Sequence, residues 1–193
     1  MKLQLLLALA TLHHAANAVD FNGCDNWSLT EMTQVTMAHG GNGGTAYNDI
    51  SLVAPGQRMK SVTINSGDRI NGVTFNIDLP SGSTIVLKHG GNGGSKKEIS
   101  FRQDEYISSF VIQTGEKEGK TRIRYLQFVT SLNQTIEGGT LGDDPDNKLS
   151  QEDVPISYQV AGMHGNAGKE MDKLGFVYTR LDPQNCVGSK ASS

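Results

Sequence analysis

In 193 residues the chain has two cysteines, one tryptophan and five prolines, and its 17 lysines and arginines do not match its 20 aspartates and glutamates. The formal charge of −3 argues against a nucleic-acid partner, which needs a basic face to replace phosphate counterions. After Leu12 no apolar run approaches the roughly 20 residues that a helical membrane span requires. No stretch of helical length carries an apolar stripe with a 3.6-residue period. There is no G-x-S-x-G nucleophile elbow, and no glycine loop that ends in Lys-Ser/Thr at the mouth of a helix. Cysteine and carboxylate are also missing at metal-ligand spacing beside His39 and His89, so these histidines read as packed side chains that support turns, and no metal is expected. The absences leave neither a hydrolase site nor a phosphate cradle.

What is present begins with a leader. Met1–Ala18 has a basic residue at Lys2, an apolar stretch from Leu3 to Leu12, and the small-x-small ending Ala16-Asn17-Ala18, the pattern of a secretory signal peptide. Its removal leaves about 175 residues, enough for one domain with its own core. The segment 19–32 carries Cys24, the segment 183–193 carries Cys186, and 33–182 holds the domain between them. In an oxidising compartment the two cysteines are expected to pair, tying the ends of the mature chain together. Two N-x-S/T triplets, at Asn26 and Asn133, are candidate N-glycosylation sites in the same compartment.

Short runs rich in Val, Ile, Thr, Phe and Tyr recur between Gly, Asn and Asp clusters: SVTIN (61–65), GVTFNI (72–77), STIVLKH (83–89), YISSFVIQT (106–114), RIRYLQFVTS (122–131), ISYQVAG (156–162) and LGFVYTRL (174–181). The alternation Val62, Ile64 and Val73, Phe75, Ile77 suits strands with one face in a core. An antiparallel all-β domain is expected. The acidic stretch Gly142–Asn147 reads as a solvated turn.

Glycine supplies the most specific pattern. HGGNGG occurs at His39–Gly44 and again fifty positions later at His89–Gly94, and a third doublet opens at Gly138. Each doublet is followed 25 to 30 residues on by a second marker, Gly67, Gly115 or Gly168, that leads into a strand. Two markers keeping step through three units predict three copies of one antiparallel unit around a common core. For the Gly138 copy a tight hairpin turn is the simpler reading.

From about Thr33 to Leu181 the chain resembles the jacalin-related lectins, in GGNGGTAYND (40–49), GGNGGSKKEI (90–99) with DEYISSF (104–110), FVTSLNQTIEGGTLG (128–142) and GKEMDKLGFVY (168–178). The resemblance implies a β-prism of three four-stranded Greek-key sheets with pseudo-threefold symmetry. It also implies a sugar site in which the first glycine loop meets the G-x-x-x-D turn: Gly44, Gly168, Lys169, Glu170 and Asp172. Asp172 would accept from two sugar hydroxyls, while the Lys169 and Glu170 backbone N–H groups donate and Gly44 lets the ring approach.

In that family an uncleaved first loop, as here, goes with mannose- or glucose-type glycans, so the resemblance implies these as partners, with no cofactor and no catalysis; no membrane span is expected, and an oligomer stays open. A second, weaker site would combine Gly94 with Asp68, Arg69 and Asn71, where an amide replaces the carboxylate. In the third unit Gly119 falls at that position and predicts silence. Paired carboxylates for glycoside chemistry are not placed by any feature of the sequence. The alternative is a secreted protein-interaction or inhibitor module on a lectin-like fold.

Non-reducing peptide mapping of secreted protein is expected to recover Cys24 and Cys186 in one linked species, beginning near Val19. Free thiols at both positions would refute the pairing.

Overall fold

The computed structural model describes residues 32–182. The leader, Cys24, Asn26 and Cys186 lie outside the described residues. Among the described residues thirteen strands form three antiparallel sheets. The second sheet is made of β4 (Arg58–Ser66), β5 (Ile70–Asp78), β6 (Thr84–Gly90) and β7 (Ser95–Ser100), in the order β6-β5-β4-β7. The third repeats the pattern with β8 (Ile107–Lys117), β9 (Lys120–Thr130), β10 (Thr135–Gly139) and β11 (Lys148–Asp153), in the order β10-β9-β8-β11.

The first sheet takes strands from both ends of the described chain. β12 (Tyr158–Ala167) and β13 (Met171–Arg180) are its inner pair, and β3 (Thr45–Asn48) flanks β12. The short strands β1 (Thr33–Val35) and β2 (His39–Gly40) lie end to end along the free edge of β13. With β1 and β2 counted as one interrupted strand, the three sheets share one Greek-key connection. The architecture is the expected β-prism.

Apolar alternation turns one face of every sheet inward. Phe75, Phe128 and Phe176 stand at corresponding positions of β5, β9 and β13 and are fully buried. Their rings meet edge to face, at 5.9 Å between Phe75 and Phe128 and 5.4 Å between Phe128 and Phe176, the spacing and tilt that aromatic quadrupoles favour. Around them Val73, Leu126 and Leu174 form a second equivalent set, as do Ile70, Ile123 and Met171, all without solvent exposure.

Two of the three sheet junctions carry related polar pairs. His39 Nε2 lies 3.3 Å from Glu152 Oε1, and His89 Nε2 lies 2.8 Å from Asp49 Oδ1. The Tyr47 ring stacks on His89 at 3.7 Å, and the other Asp49 oxygen accepts the Met163 N–H. The histidines therefore bridge neighbouring sheets beneath the glycine loops. At the third junction Gly138 replaces the histidine and packs on Ile64 and Ser66.

The Gly138 doublet is not a hairpin turn, because β10 and β11 occupy opposite edges of their sheet. It is the third copy of the long connection made by both GGNGG loops. Gly40, Gly90 and Gly139 share a left-handed backbone, and an added Cβ would strike the carbonyl oxygen of Asp172, Asn71 or Arg124 respectively. Each following residue donates its N–H to that same oxygen, Gly41 to Asp172, Gly91 to Asn71 and Thr140 to Arg124. Arg124 is thus the third counterpart of Asp172, and the expectation of Gly119 there is incorrect. Eight residues separate the paired Thr114 and Ile123, whereas three separate Ser66 from Ile70 and Ala167 from Met171. The β8–β9 hairpin is longer, so counting from Gly115 stops in its extra turn.

The three inner hairpins converge on one carboxylate. Glu170, in the β12–β13 turn, accepts from Arg69 of the β4–β5 turn at 2.7 and 2.8 Å and from Arg122 of the β8–β9 hairpin at 2.8 Å. The Arg69 hydrogen bond, followed by the charges of both guanidiniums, holds the Glu170 carboxyl below the usual glutamate range.

The close approach at Gly90 separates from its backbone strain by comparison with Gly82, since both have φ +85° and nothing lies within 4 Å of a Cβ at Gly82. Gly82→Ala is expected to cost about 1–2 kcal/mol for the left-handed backbone alone, and Gly90→Ala a further 1–3 kcal/mol or so for the overlap. Urea unfolding measures both; equal costs would contradict the packing account. Because the Glu170 carboxyl is lowered in the folded state, its contribution is complete above the ordinary carboxylate range and is lost as pH falls through the folded value. Glu170→Gln should cost about 1–3 kcal/mol at pH 7, and the gap from wild type should close toward acid in thermal melts. A gap that persists unchanged to about pH 3, below the ordinary carboxylate range, would contradict that role.

Candidate functional site

The first sheet brings its two loops together at one end of the prism. Asp172, the second residue of β13, is 4% exposed. Its carboxylate lies against the bare backbone of the first glycine loop: a Cβ on Gly43 would stand 2.5 Å from Oδ1, and one on Gly44 would stand 2.7 Å from Oδ2. Glycine is required at both places for the carboxylate to reach the loop. Across from it the β12–β13 turn is closed by the Gly168 N–H on the Glu170 carbonyl, at 2.9 Å. Gly41 and Gly91 sit against neighbouring hairpins, where an added Cβ would come 2.5 Å from the Thr121 oxygen and 2.6 Å from the Lys169 oxygen. Each GGNGG loop is therefore buttressed by another sheet.

The result is a cleft of about 380 Å³ lined by Gly43, Gly44, Gly168, Lys169, Glu170 and Asp172, with Lys120 and Arg122 on a further wall. All five residues expected of the main sugar site line it. Lys120 and Arg122 were not foreseen, because they come from the longer β8–β9 hairpin of another sheet. Arg122 Nε stands 3.8 Å from Asp172 Oδ1, so the site carboxylate faces a guanidinium as well as the loop. Lys173 donates to Asn42 Oδ1 and fixes the outer part of the first glycine loop.

The second candidate set repeats the loop and turn contact with other partners: the Gly67 N–H donates to the Arg69 carbonyl at 3.1 Å, and a Cβ on Gly93 would stand 3.1 Å from Asn71 Nδ2. Asn71 Oδ1 accepts the Gly67 N–H at 3.1 Å, Arg69 is engaged by Glu170, and the Asp68 carbonyl takes the Thr140 N–H. Gly94 also borders a trough of about 510 Å³ on the outer face of the second sheet, with Asn65 and Thr63. At the third equivalent place the Arg124 side chain lies beside Asn147 and Gly142, so a cation stands where the first sheet has a carboxylate. Asn133 is exposed, with φ 60°, in the turn between β9 and β10.

The cleft is lined by glycines and charged side chains. Both Glu170 oxygens are held by guanidiniums, which leaves no second carboxylate free to act with Asp172 as an acid–base pair. Backbone donors, glycine surface and one buried carboxylate suit a small ligand rich in hydroxyls.

Comparison with known proteins agrees with this geometry. Over 181 residues the chain is 25% identical to Secreted RxLR effector protein 19 of Plasmopara viticola, covering 94% of this chain and 96% of that protein. The structure of wild-type Malaysian banana lectin superposes with a TM-score of 0.65 at 28% identity, covering 77% of this chain and 99% of that one. A mannose-binding jacalin-related lectin from Ananas comosus shares the fold, with a TM-score of 0.65 at 23% identity over 77% and 98% of the two chains. The Jacalin-like lectin domain family matches residues 36–177. With that match over most of its length, the chain belongs to the jacalin-like lectin family.

Proposed function

We propose that the mature chain is a secreted lectin that takes mannose- or glucose-type glycans at the Asp172 cleft, without metal or catalysis. The observation that carries this reading is the convergence of Gly43, Gly44 and Asp172 with the Lys169–Glu170 turn on one cleft. Asp172 accepts from two sugar hydroxyls, the turn amides donate to ring and hydroxyl oxygens, and the bare glycine backbone lets the ring approach. The uncleaved first loop and the mannose-binding relative with the same fold support the choice of sugar. Secretion is supported by the leader pattern and by the relative described as secreted, which aligns with nearly the whole chain.

The division into leader (1–18), N-terminal segment (19–32), lectin domain (33–182) and tail (183–193) belongs to the same reading, as do the Cys24–Cys186 bridge and glycosylation at Asn26 and Asn133. The Gly94, Asp68, Arg69 and Asn71 set is assigned a vestigial role, because its amide oxygen and its arginine already have intramolecular partners. A protein-interaction role is the second reading, favoured by the likeness to a secreted effector over 94% of the chain.

Hydrogen bonds to a charged group contribute about 1.5–3 kcal/mol. Asp172→Ala should therefore weaken mannose binding by roughly tenfold to more than a hundredfold, with thermal melting as the check on folding. Calorimetry should give a stoichiometry of roughly one, unchanged by a chelator. Undiminished binding by the variant would place the sugar elsewhere, and two equal sites would overturn the vestigial assignment.

A further inference from the structure

From the charges that line the Asp172 cleft we infer that its preferred ligands are acidic sugars, hexoses carrying a phosphate, sulfate or carboxylate group. The inference rests on the lectin reading and adds the ligand's charge to it. The chain as a whole is acidic, at −3, yet the cleft is not. Two guanidiniums, Arg69 and Arg122, meet the two carboxylates Glu170 and Asp172, at 2.7 Å for Arg69–Glu170, 2.8 Å for Arg122–Glu170 and 3.8 Å for Arg122–Asp172. Those four charges offset one another.

Lys120 and Lys169 remain, both exposed and both lining the cleft, and neither makes an ion pair among the described residues. The further carboxylates Asp68 and Glu118, which act on Arg69, are not among the residues that line the cleft. A neutral hexose that satisfies Asp172 leaves the two ammonium groups without a counter-charge. An anionic substituent on the same sugar supplies it, and about 380 Å³ accommodates a hexose with such a group, since ligand clefts begin near about 300 Å³. Lys120 reaches the cleft because the β8–β9 hairpin is longer than its two counterparts, so its charge is a property of this chain's third unit, added to that of Lys169 in the β12–β13 turn.

The test is calorimetric titration of the full mature chain with methyl α-mannoside, mannose 1-phosphate, mannose 6-phosphate, mannose 6-sulfate, mannuronic acid and inorganic phosphate. At about 0.1 M salt at least one acidic mannose should bind about fivefold more tightly than the neutral glycoside, the size expected of exposed charge pairs. The advantage should vanish near 1 M salt, where the screening length falls from about 10 Å to about 3 Å. Lys120→Glu should turn the advantage into a penalty, and Lys120→Gln should reduce it. The acidic series distinguishes a site for anions in general from one fitted to phosphate, sulfate or carboxylate, either of which supports the inference.

Equal affinity for neutral and acidic sugars, or an advantage that survives Lys120→Glu, would overturn it while leaving the lectin reading intact. Inorganic phosphate binding as tightly as the phosphorylated sugars without displacing mannoside would also overturn it. Failure to bind any of the sugars, the neutral one included, would overturn the lectin reading on which it rests.

Discussion

One backbone contact recurs three times and sets the geometry of this end of the prism. A left-handed glycine at the end of an outer strand, Gly40, Gly90 or Gly139, lies so close to the neighbouring inner strand that a Cβ would overlap its carbonyl, and the next N–H donates to that carbonyl. The carbonyls belong to Asp172, Asn71 and Arg124, so the contact fixes the position of one side chain in every sheet. Glycine is therefore demanded first by the frame. The further glycines at 43 and 44 then let the Asp172 carboxylate settle against the loop.

The three sheets share this frame and differ in what stands on it. Asp172 faces a cleft, Asn71 uses its oxygen on the Gly67 amide, and Arg124 packs with Asn147. The functional asymmetry is one of side chains and hairpin length, imposed on a symmetric backbone. Glu170 joins the hairpins of all three units through Arg69 and Arg122. A change in one unit thereby reaches the site on another, and the elongated β8–β9 hairpin supplies a wall to a cleft built by the first sheet.

Much of this was legible in the residues. Strand runs and the threefold period emerge from glycine spacing and apolar alternation, because backbone constraints of that kind are local. The five residues Gly44, Gly168, Lys169, Glu170 and Asp172 come instead from the resemblance to the jacalin-related lectins. The error at Gly119 has a clear origin: the extra residues of the β8–β9 hairpin displace any count made from Gly115. The core corrects it, since Phe176, Phe75 and Phe128 each lie four residues beyond Asp172, Asn71 and Arg124. Lys120 and Arg122 were not legible, because their place beside Glu170 and Asp172 in the cleft bridges about fifty residues of sequence and depends on how the sheets pack. The histidines read as turn supports bridge the sheets, with carboxylate partners, Glu152 and Asp49, on adjacent sheets.

The placement of the sugar on the first sheet is tested most directly by amide nuclear magnetic resonance of the mature protein titrated with methyl α-mannoside. Saturable shifts should centre on Gly43, Gly44, Lys169 and Glu170 and extend to Thr121 and Arg122 on the adjoining hairpin. The amides of Gly67, Gly93 and Gly94 should stay in place. Shifts centred on the second glycine loop or on the outer sheet faces, with the Gly43–Gly44 amides unmoved, would contradict the account.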